Sequence, residues 1–140
     1  MAEVHYSTTI AAPAEPVWRM IRAFSGLETF FSVFASSTTQ GEGEGATRVL
    51  RLPDGGEFHE RLESLDDGAR RLVYKTLKSP LPIENYVGTV TVEDAGGGCS
   101  KVSWSCRFDA SPEVEASMKE MFESAYADGI RGLERLNRGS

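Results

Sequence analysis

The sequence predicts an α+β fold in which a curved antiparallel sheet of about seven strands wraps around one long C-terminal helix. Segments with the two-residue period of β-strands follow one another through the middle of the chain, separated by short turn signals. An apolar stripe with helical spacing runs over about residues 113–137. Two short helices are expected after the first strand, where the extended pattern is interrupted.

The chain begins with a strand and a short amphipathic helix. Residues 3–10 are rich in β-branched and aromatic side chains, which favours a strand. Pro13 fits the first position of a helix, and Pro16 remains within the first turn, where a missing N–H is tolerated. Apolar residues at helical spacing then predict a helix over residues 13–24, and residues 27–31 add a further helical turn.

Six further strands are predicted in the middle of the chain. They cover about residues 33–40, 46–52, 57–65, 70–78, 84–94 and 100–110. The turns between them are short and rich in glycine, aspartate and proline. Because a parallel crossover needs about a dozen residues or more, such short turns predict an antiparallel meander. No linker or repeat divides the chain, so we expect a single domain over residues 1–140.

The C-terminal helix is predicted to begin after Ser111, which can cap it, with Pro112 in the first helical position. Its apolar stripe must be buried, and the sheet is the only large partner predicted. Gly129 and Gly132 each cost about 1 kcal/mol relative to alanine inside a helix. They favour either a close approach of helix and sheet or, together with flexible methionines such as Met118, room for a ligand.

The overall charge restricts the classes of partner. The formal net charge is −6 at pH 7, which argues against nucleic acid or an anionic membrane as the main partner. No apolar stretch reaches the roughly 20 residues of a membrane span, so membrane insertion is not expected and the cytoplasm is the predicted location. Cys99 and Cys106 are expected on opposite faces of one strand, and the residue spacings predict neither a disulfide nor a metal site.

One face of the predicted sheet combines polar and aromatic side chains. In the strand over residues 57–65, alternation places Glu60 on the same face as Phe58 and Leu62. A carboxylate on such a face is costly unless it is paired, hydrated or used in chemistry. The equivalent faces of the next two strands carry Tyr74, Thr76, Tyr86 and Gly88. This combination predicts a semi-polar pocket opposite the helix, and the alternative is that Tyr74 and Tyr86 are core tyrosines that hydrogen-bond Glu60.

Short motifs along nearly the whole chain resemble a known superfamily. They are Tyr6–Ile10, Ala12–Trp18, Ile21, Gly45–Arg48, Glu60–Leu62, Asp66–Asp67, Tyr74, Pro80–Pro82, Asn85–Tyr86 and Trp104. The chain resembles the START-related superfamily of helix-grip proteins (SRPBCC), and within it the polyketide cyclase/dehydrase subgroup. The run from Glu60 to Tyr86 is also similar to the plant abscisic-acid receptors. The resemblance implies a Bet v 1-like fold, a ligand-binding domain in which a curved sheet grips a long C-terminal helix around a hydrophobic cavity.

The resemblance also implies which residues line that cavity. The positions matching the receptor pocket are Glu60, Tyr74, Thr76, Tyr86 and Gly88 on strands, and Phe122, Tyr126 and Ile130 on the helix. Together with Phe58, Leu62 and Met118 they form the set of candidate ligand-binding residues. Segments 53–56 and 79–84 match the receptors' gate and latch loops.

Two departures from the receptors bear on the ligand. The lysine with which the receptors hold a ligand carboxylate falls near Ala35, and the latch His-Arg pair falls at Leu81–Pro82. Abscisic acid and other ligands held through a carboxylate are therefore not expected. The missing lysine also leaves Glu60 without an evident cationic partner on its face.

Two functions of different class stay open. The first is the binding of a small, largely hydrophobic molecule, whether polyketide-like, aromatic or lipid-like. The second is a cofactor-independent cyclase, dehydrase or lyase in which Glu60 transfers protons and Tyr74 or Tyr86 donates to a developing enolate. No cofactor is expected for either, and the chain is expected to act as a monomer or homodimer without a nucleic-acid partner. No function is assigned to residues Arg138–Ser140.

Overall fold

The computed structural model describes residues 1–138, and within them a seven-stranded sheet packs against two α-helices. The strands are β1 (Ala2–Ile10), β2 (Ser36–Gln40), β3 (Thr47–Arg51), β4 (Glu57–Asp66), β5 (Arg71–Lys78), β6 (Glu84–Gly96) and β7 (Cys99–Asp109). The helices are α1 (Ala14–Arg22) and α2 (Pro112–Asn137). Gly139 and Ser140, in the C-terminal segment to which no function is assigned, lie outside the described residues.

All neighbouring strands of the sheet are antiparallel, in the order β1-β7-β6-β5-β4-β3-β2. Strands β2 to β7 form a meander in chain order, and β1 adds to the free edge of β7. The sheet is curved, and α2 packs against its inner face. The predicted α+β architecture is therefore confirmed, including the number of strands and the long C-terminal helix.

The segment after β1 differs from the prediction in two ways. Helix α1 ends at Arg22, because Phe24 adopts a left-handed backbone conformation with φ of 58°. Its ring is thereby turned into the core, where only 1% of Phe24 is exposed. The second short helix is a single 3₁₀ turn, Leu27–Thr29, rather than a helical turn that extends to residue 31.

Strand β2 begins at Ser36, three residues later than the predicted start at residue 33. The preceding residues leave the sheet, and Val33 and Phe34 line an internal cavity instead. The ring of Phe34 meets the ring of Phe58 edge-on, with a centroid separation of 6.0 Å. The aromatic and β-branched composition that predicted a strand here therefore serves packing around the cavity.

A β-bulge interrupts the alternation of side chains in β4. Leu62 pairs with Tyr74, but Ser64 pairs with Val73, so that Glu63 is the extra residue on β4. The alternation shifts by one position after Glu63, and Leu65 rather than Ser64 packs against the core. Strict alternation, which predicted Ser64 on the inner face, is wrong beyond the bulge.

The two glycines inside α2 are sites of close packing. A Cβ atom at Gly129 would overlap the ring of Phe31, and one at Gly132 would overlap the backbone carbonyl of Phe30. Ser32 adds to this contact, since its N–H donates to Asp128 Oδ2 over 2.8 Å. Close approach thus explains both glycines, although the helix approaches the segment over residues 30–32 rather than the sheet.

Neither helix described in residues 1–138 is long and apolar enough to cross a membrane. Both cysteines are free thiols, with Cys99 half-buried and Cys106 buried on the inner face of β7. The core beneath α1 contains Val17, Trp18 and Ile21.

Candidate functional site

A cavity of about 160 Å³ lies between the inner face of the sheet and α2. Most of its wall is apolar, and aromatic rings predominate. The lining residues are Leu27, Phe31, Val33, Phe34, Arg48, Leu50, Leu52, Phe58, Glu60, Tyr74, Thr76, Leu81, Ile83, Tyr86, Trp104, Met121, Phe122, Ala125 and Tyr126. An enclosed apolar space with a few convergent polar groups is typical of a small-molecule site.

The aromatic rings of the wall hold one another in place. Trp104 meets Phe31 edge-on with centroids 5.1 Å apart, and it stacks on Tyr126 at 5.7 Å. Tyr86 packs against Phe122 at 5.2 Å. Each such pair contributes about 0.5–1.5 kcal/mol beyond the area that it buries. The wall is therefore preorganised by contacts within the protein.

Four polar groups of the wall form an open hydrogen-bonded chain, which we call the tyrosine chain. The indole N–H of Trp104 donates to the hydroxyl of Tyr74 over 3.0 Å. The hydroxyls of Tyr74 and Tyr86 are 2.9 Å apart, and Tyr86 is hydrogen-bonded in turn to Tyr126. The chain joins β7, β5, β6 and α2, so it crosses the cavity wall from the sheet to the helix.

Burial keeps these hydroxyls in their protonated form. The loss of hydration raises the pKa of Tyr74, and the nearby Glu60 carboxylate raises it further. Burial likewise raises the pKa values of Tyr86 and Tyr126 well above the ordinary value of 10.0. The Cys106 thiol lies beside Tyr86 and Tyr126, and burial raises its pKa also. The chain thus presents neutral O–H groups near neutral pH.

A buried ion pair forms the second polar feature of the wall. Arg48 donates from Nε to Glu60 Oε1 over 2.8 Å, and its Nη2 lies 2.7 Å from the same oxygen. Thr76 donates to the other oxygen, Oε2, over a longer 3.4 Å. Only 4% of Arg48 and 6% of Glu60 are exposed. The expectation that Glu60 lacks a cationic partner is wrong, because β3 supplies one.

The guanidinium of Arg48 is also packed between aromatic rings. Its Cζ lies 3.8 Å from the ring centroid of Phe24 and 5.0 Å from that of Tyr74. Such cation–π contacts are stronger where water is excluded. The alternative in which Tyr74 and Tyr86 hydrogen-bond Glu60 is not what the structure shows, since the two hydroxyls bond to each other and Glu60 bonds to Arg48 and Thr76.

The structure brings most of the candidate residues together around the cavity. Those that line it are Phe58, Glu60, Tyr74, Thr76, Tyr86, Phe122 and Tyr126. The others do not line it: Leu62, Gly88, Met118 and Ile130. The three candidate catalytic groups, Glu60, Tyr74 and Tyr86, therefore share one cavity.

Each of the four exceptions has a physical reason. Leu62 and Ile130 are fully buried in the core with 1% of each residue exposed. The space in front of Gly88 is filled by the ring of Tyr74, which a Cβ atom there would overlap. Met118 packs against the core at a different part of α2, and Met121 lines the cavity instead.

Arg48 is the functional candidate that the sequence reasoning missed. The signal for it exists, because alternation over β3 places Arg48 on the same face as Leu50, and both are buried. The charge of Arg48 favours an outward position, and only the pairing of β3 with β4 sets it opposite Glu60. Trp104 was part of the resemblance, but its hydrogen bond to Tyr74 depends on the spatial neighbourhood of β5 and β7.

The mouth of the cavity lies where its lining residues reach the surface. Val33 is 44% exposed and Met121 is 38% exposed. Leu52 and the loop residues Leu81 and Ile83 also border the cavity. A Cβ atom at Gly56 would be 3.4 Å from both Leu52 Cδ1 and Pro80 Cβ. The β3–β4 turn and the β5–β6 loop are therefore in contact with each other at this end of the molecule.

A curved antiparallel sheet that grips a long helix around a cavity defines the helix-grip class, and the chain has this Bet v 1-like fold. The protein-family model described as "Polyketide cyclase / dehydrase and lipid transport" matches residues 1–137. The chain belongs to this family, as the motifs in the sequence predicted. No protein with a curated description matches the chain.

Several solved structures are similar to it. The protein XoxI from Bacillus cereus is 30% identical with a TM-score of 0.87, over 98% of this chain and 96% of that one. The di-domain ARO/CYC BexL from the BE-7585A biosynthetic pathway is 20% identical with a TM-score of 0.82, over 96% and 46%. Norcoclaurine synthase from Thalictrum flavum, in complex with dopamine and hydroxybenzaldehyde, is 18% identical with a TM-score of 0.78, over 96% and 85%. At these identities the last two support the fold alone.

Proposed function

We propose that this protein binds a small, largely apolar molecule of aromatic, polyketide-like or lipid-like character in the cavity between the sheet and α2. The observation that carries the proposal is the cavity itself, whose wall is built from aromatic rings with two polar groups of contacts, the tyrosine chain and the Arg48–Glu60 pair. Membership of a family described by polyketide chemistry and lipid transport supports the same class of ligand.

The energetic cost of the cavity supports a functional reason for it. Protein interiors are normally close-packed, with few voids larger than a water molecule. At about 24 cal/mol per Å³, a cavity of 160 Å³ costs roughly 4 kcal/mol of stability. That is a large part of the 5–15 kcal/mol that typically stabilises a domain. A larger residue in place of Ala125 would recover part of this cost, so the retained space favours a ligand.

The size of the cavity restricts the ligand. A space of about 150 Å³ is known to accommodate a benzene ring, whereas pockets for drug-sized molecules are about 300–1,000 Å³. The observed cavity is therefore suited to one ring with a small substituent. A longer polyketide or acyl chain would need the mouth to widen, and the loops that contribute Leu81 and Ile83 are the segments placed to do so.

Native mass spectrometry of the purified protein tests the proposal. We expect a co-purified small molecule, or binding of added isopropylbenzene, in the wild-type protein. The variant Ala125→Phe adds a ring inside the cavity and should abolish binding, whereas Ser124→Phe adds the same ring on the exposed face of α2 and should not. Equal binding by both variants would show that the ligand lies elsewhere.

A second candidate function is cofactor-independent cyclase, dehydrase or lyase chemistry. The observation that favours it is the position of Glu60, whose Oε1 is occupied by Arg48 while Oε2 has only the long contact to Thr76. Oε2 is thus the oxygen available to accept a proton from a bound substrate. The tyrosine chain would donate to a developing enolate oxygen from the same cavity.

Two substitutions distinguish the enzyme from the binding protein. In an enzyme, Glu60→Gln and Tyr86→Phe should abolish turnover of the co-purified compound while its affinity stays within about tenfold. The exposed Glu63→Gln is the control and should change neither property. If both cavity variants weaken binding and no turnover is detected in the wild type, the binding function stands alone.

We further propose that the protein acts in the cytoplasm, as a monomer or homodimer, without a nucleic-acid partner. The net charge of −6 supports the last point, since phosphate backbones repel an acidic protein. Size-exclusion chromatography with light scattering gives the oligomeric state directly.

A further inference from the structure

The tyrosine chain contains one more hydrogen-bond donor than it uses. Trp104 has a single N–H group, and Tyr74, Tyr86 and Tyr126 each have a single O–H group. These four donors are joined by three hydrogen bonds in an open chain. Whichever way the hydroxyls of the chain are oriented, one O–H hydrogen has no acceptor within it.

The neighbours of the chain offer that hydrogen only a weak acceptor. The Cys106 thiol lies beside Tyr86 and Tyr126, and sulfur accepts hydrogen bonds poorly. The Glu60 carboxylate is bound to Arg48 and Thr76 rather than to a tyrosine. A buried donor without a good acceptor costs about 1–3 kcal/mol, and a ligand oxygen in the cavity would remove this cost.

The charge of the cavity wall favours an uncharged ligand. Arg48 and Glu60 neutralise each other within 2.7–2.8 Å, and the guanidinium is covered by the rings of Phe24 and Tyr74. A carboxylate bound in this cavity would place a second negative charge near Glu60 with no cation left to balance it. Burying such a charge is far more costly than burying a neutral carbonyl group.

We infer that the cavity selects an uncharged, single-ring molecule that carries a hydrogen-bond acceptor such as a ketone oxygen, and that the spare O–H of the tyrosine chain binds this oxygen. The inference rests on the proposed function, and it adds the chemical class of the ligand. The polar end of the ligand lies against Tyr74, Tyr86 and Tyr126, and its ring lies among the aromatic side chains of the wall.

Three probes of the same branched outline test the inference. Isopropylbenzene has no acceptor, acetophenone has a ketone oxygen, and benzoate has a negative charge, while the number of non-hydrogen atoms is the same in all three. Calorimetric titration should show acetophenone binding about three- to tenfold more tightly than isopropylbenzene, as one net hydrogen bond provides. Benzoate at pH 7 should bind at least about tenfold more weakly than acetophenone.

The infrared carbonyl stretch of bound acetophenone gives an independent measurement in the wild-type protein. A hydrogen bond to the ketone oxygen lowers its frequency below the value in hexane, and we expect this shift. The triple variant Tyr74→Phe/Tyr86→Phe/Tyr126→Phe should lose both the shift and the preference for acetophenone. Tyr6→Phe, outside the cavity, should retain both.

The outcomes separate the two proposals. If isopropylbenzene and acetophenone bind equally, or the carbonyl frequency stays at its hexane value, the inference fails while the binding function stands. Tighter binding of benzoate would also overturn it, and would identify Arg48 as an anion-binding group. If none of the three probes binds, the proposed function fails and the inference fails with it.

Discussion

Arg48 and Glu60 illustrate how a polar pair can be held inside an otherwise apolar cavity wall. Each is almost fully buried, and each compensates the charge of the other at hydrogen-bond distance. A buried ion pair contributes little net stability compared with apolar residues of similar size, because desolvation offsets the attraction. The loss of one partner is much more costly, since the charge of the other remains buried.

We therefore predict that Arg48→Met destabilises the protein by about 3–5 kcal/mol. The double variant Arg48→Met/Glu60→Leu should recover most of this loss, because no uncompensated charge remains. Urea unfolding followed by circular dichroism measures both. A single variant within about 1 kcal/mol of the wild type would show that the two side chains do not depend on each other for stability.

Asp67 provides a pH-dependent contact on the outer surface. Arg22 lowers the pKa of this carboxyl most, and Trp18, whose indole N–H donates to Oδ1 over 2.9 Å, lowers it further. A depressed folded-state pKa means that the stabilisation is present above the ordinary value of 3.8 and is lost as the pH falls through the folded-state pKa.

We predict that Asp67→Asn lowers the free energy of unfolding at pH 7 and that the difference from wild type shrinks as the pH falls below about 4. Unfolding in urea at a series of pH values measures this difference. Glu120→Gln, on the exposed face of α2, is the control and should show little effect. A difference that stays constant down to pH 2 would contradict the assignment.

At the residue scale, sequence reasoning identified the carboxylate and the tyrosines but not their partners. Alternation places Glu60, Tyr74 and Tyr86 on the inner face, and the structure puts all three in the cavity. Arg48 lies 12 positions from Glu60, and the two meet only through the register of β3 and β4. Such pairings depend on strand register, which local patterns specify weakly when a bulge lies nearby.

At the level of elements, the close packing of α2 against residues 30–32 determines where glycine is required. Alanine is the better helix former by about 1 kcal/mol, so Gly132→Ala would be stabilising in an exposed helix. Here the added Cβ overlaps the carbonyl of Phe30, which is backbone and cannot rotate away.

We predict that Gly132→Ala destabilises the protein by roughly 1–3 kcal/mol through overpacking. Gly129→Ala should be less costly, because its neighbour is the ring of Phe31, which is able to shift. Ser124→Ala, on the exposed side of the same helix, should be neutral or slightly stabilising. The midpoints of urea unfolding give the order of the three variants, and a stabilised Gly132→Ala would contradict the packing described above.

The boundaries of the elements show what periodicity predicts and what it does not. The start of α2 at Pro112 and the antiparallel order of the strands follow from capping residues and short turns. The late start of β2 does not, because Val33 and Phe34 have strand-like composition but are drawn to the cavity. The bulge at Glu63 also leaves no clear local signal, since its composition resembles that of the residues around it.

For the molecule as a whole, the cavity links stability to ligand binding. A ligand that binds only the folded state adds RT ln(1 + [L]/Kd), which is about 2.7 kcal/mol at a hundredfold excess over Kd. For a chain of 140 residues this corresponds to a rise in Tm of roughly 5–10 °C.

We therefore predict that acetophenone raises the Tm of the wild type in a concentration-dependent manner, as measured by differential scanning calorimetry. The cavity-filling variant Ala125→Phe should show no such rise, because its cavity no longer admits the ring. An equal rise in both proteins would mean that the compound stabilises the fold from another site.

The contacts between α2 and the segment over residues 30–32 have a mechanical consequence. Gly129 is packed on Phe31, Gly132 on the backbone of Phe30, and Asp128 is hydrogen-bonded to Ser32. The helix and this segment therefore move as one rigid body, and they carry one side of the cavity entrance with them. Exchange of a molecule with solvent must then be timed by the opposite side, where two short loops meet, so its rate is set by those loops independently of the affinity set by the rings within.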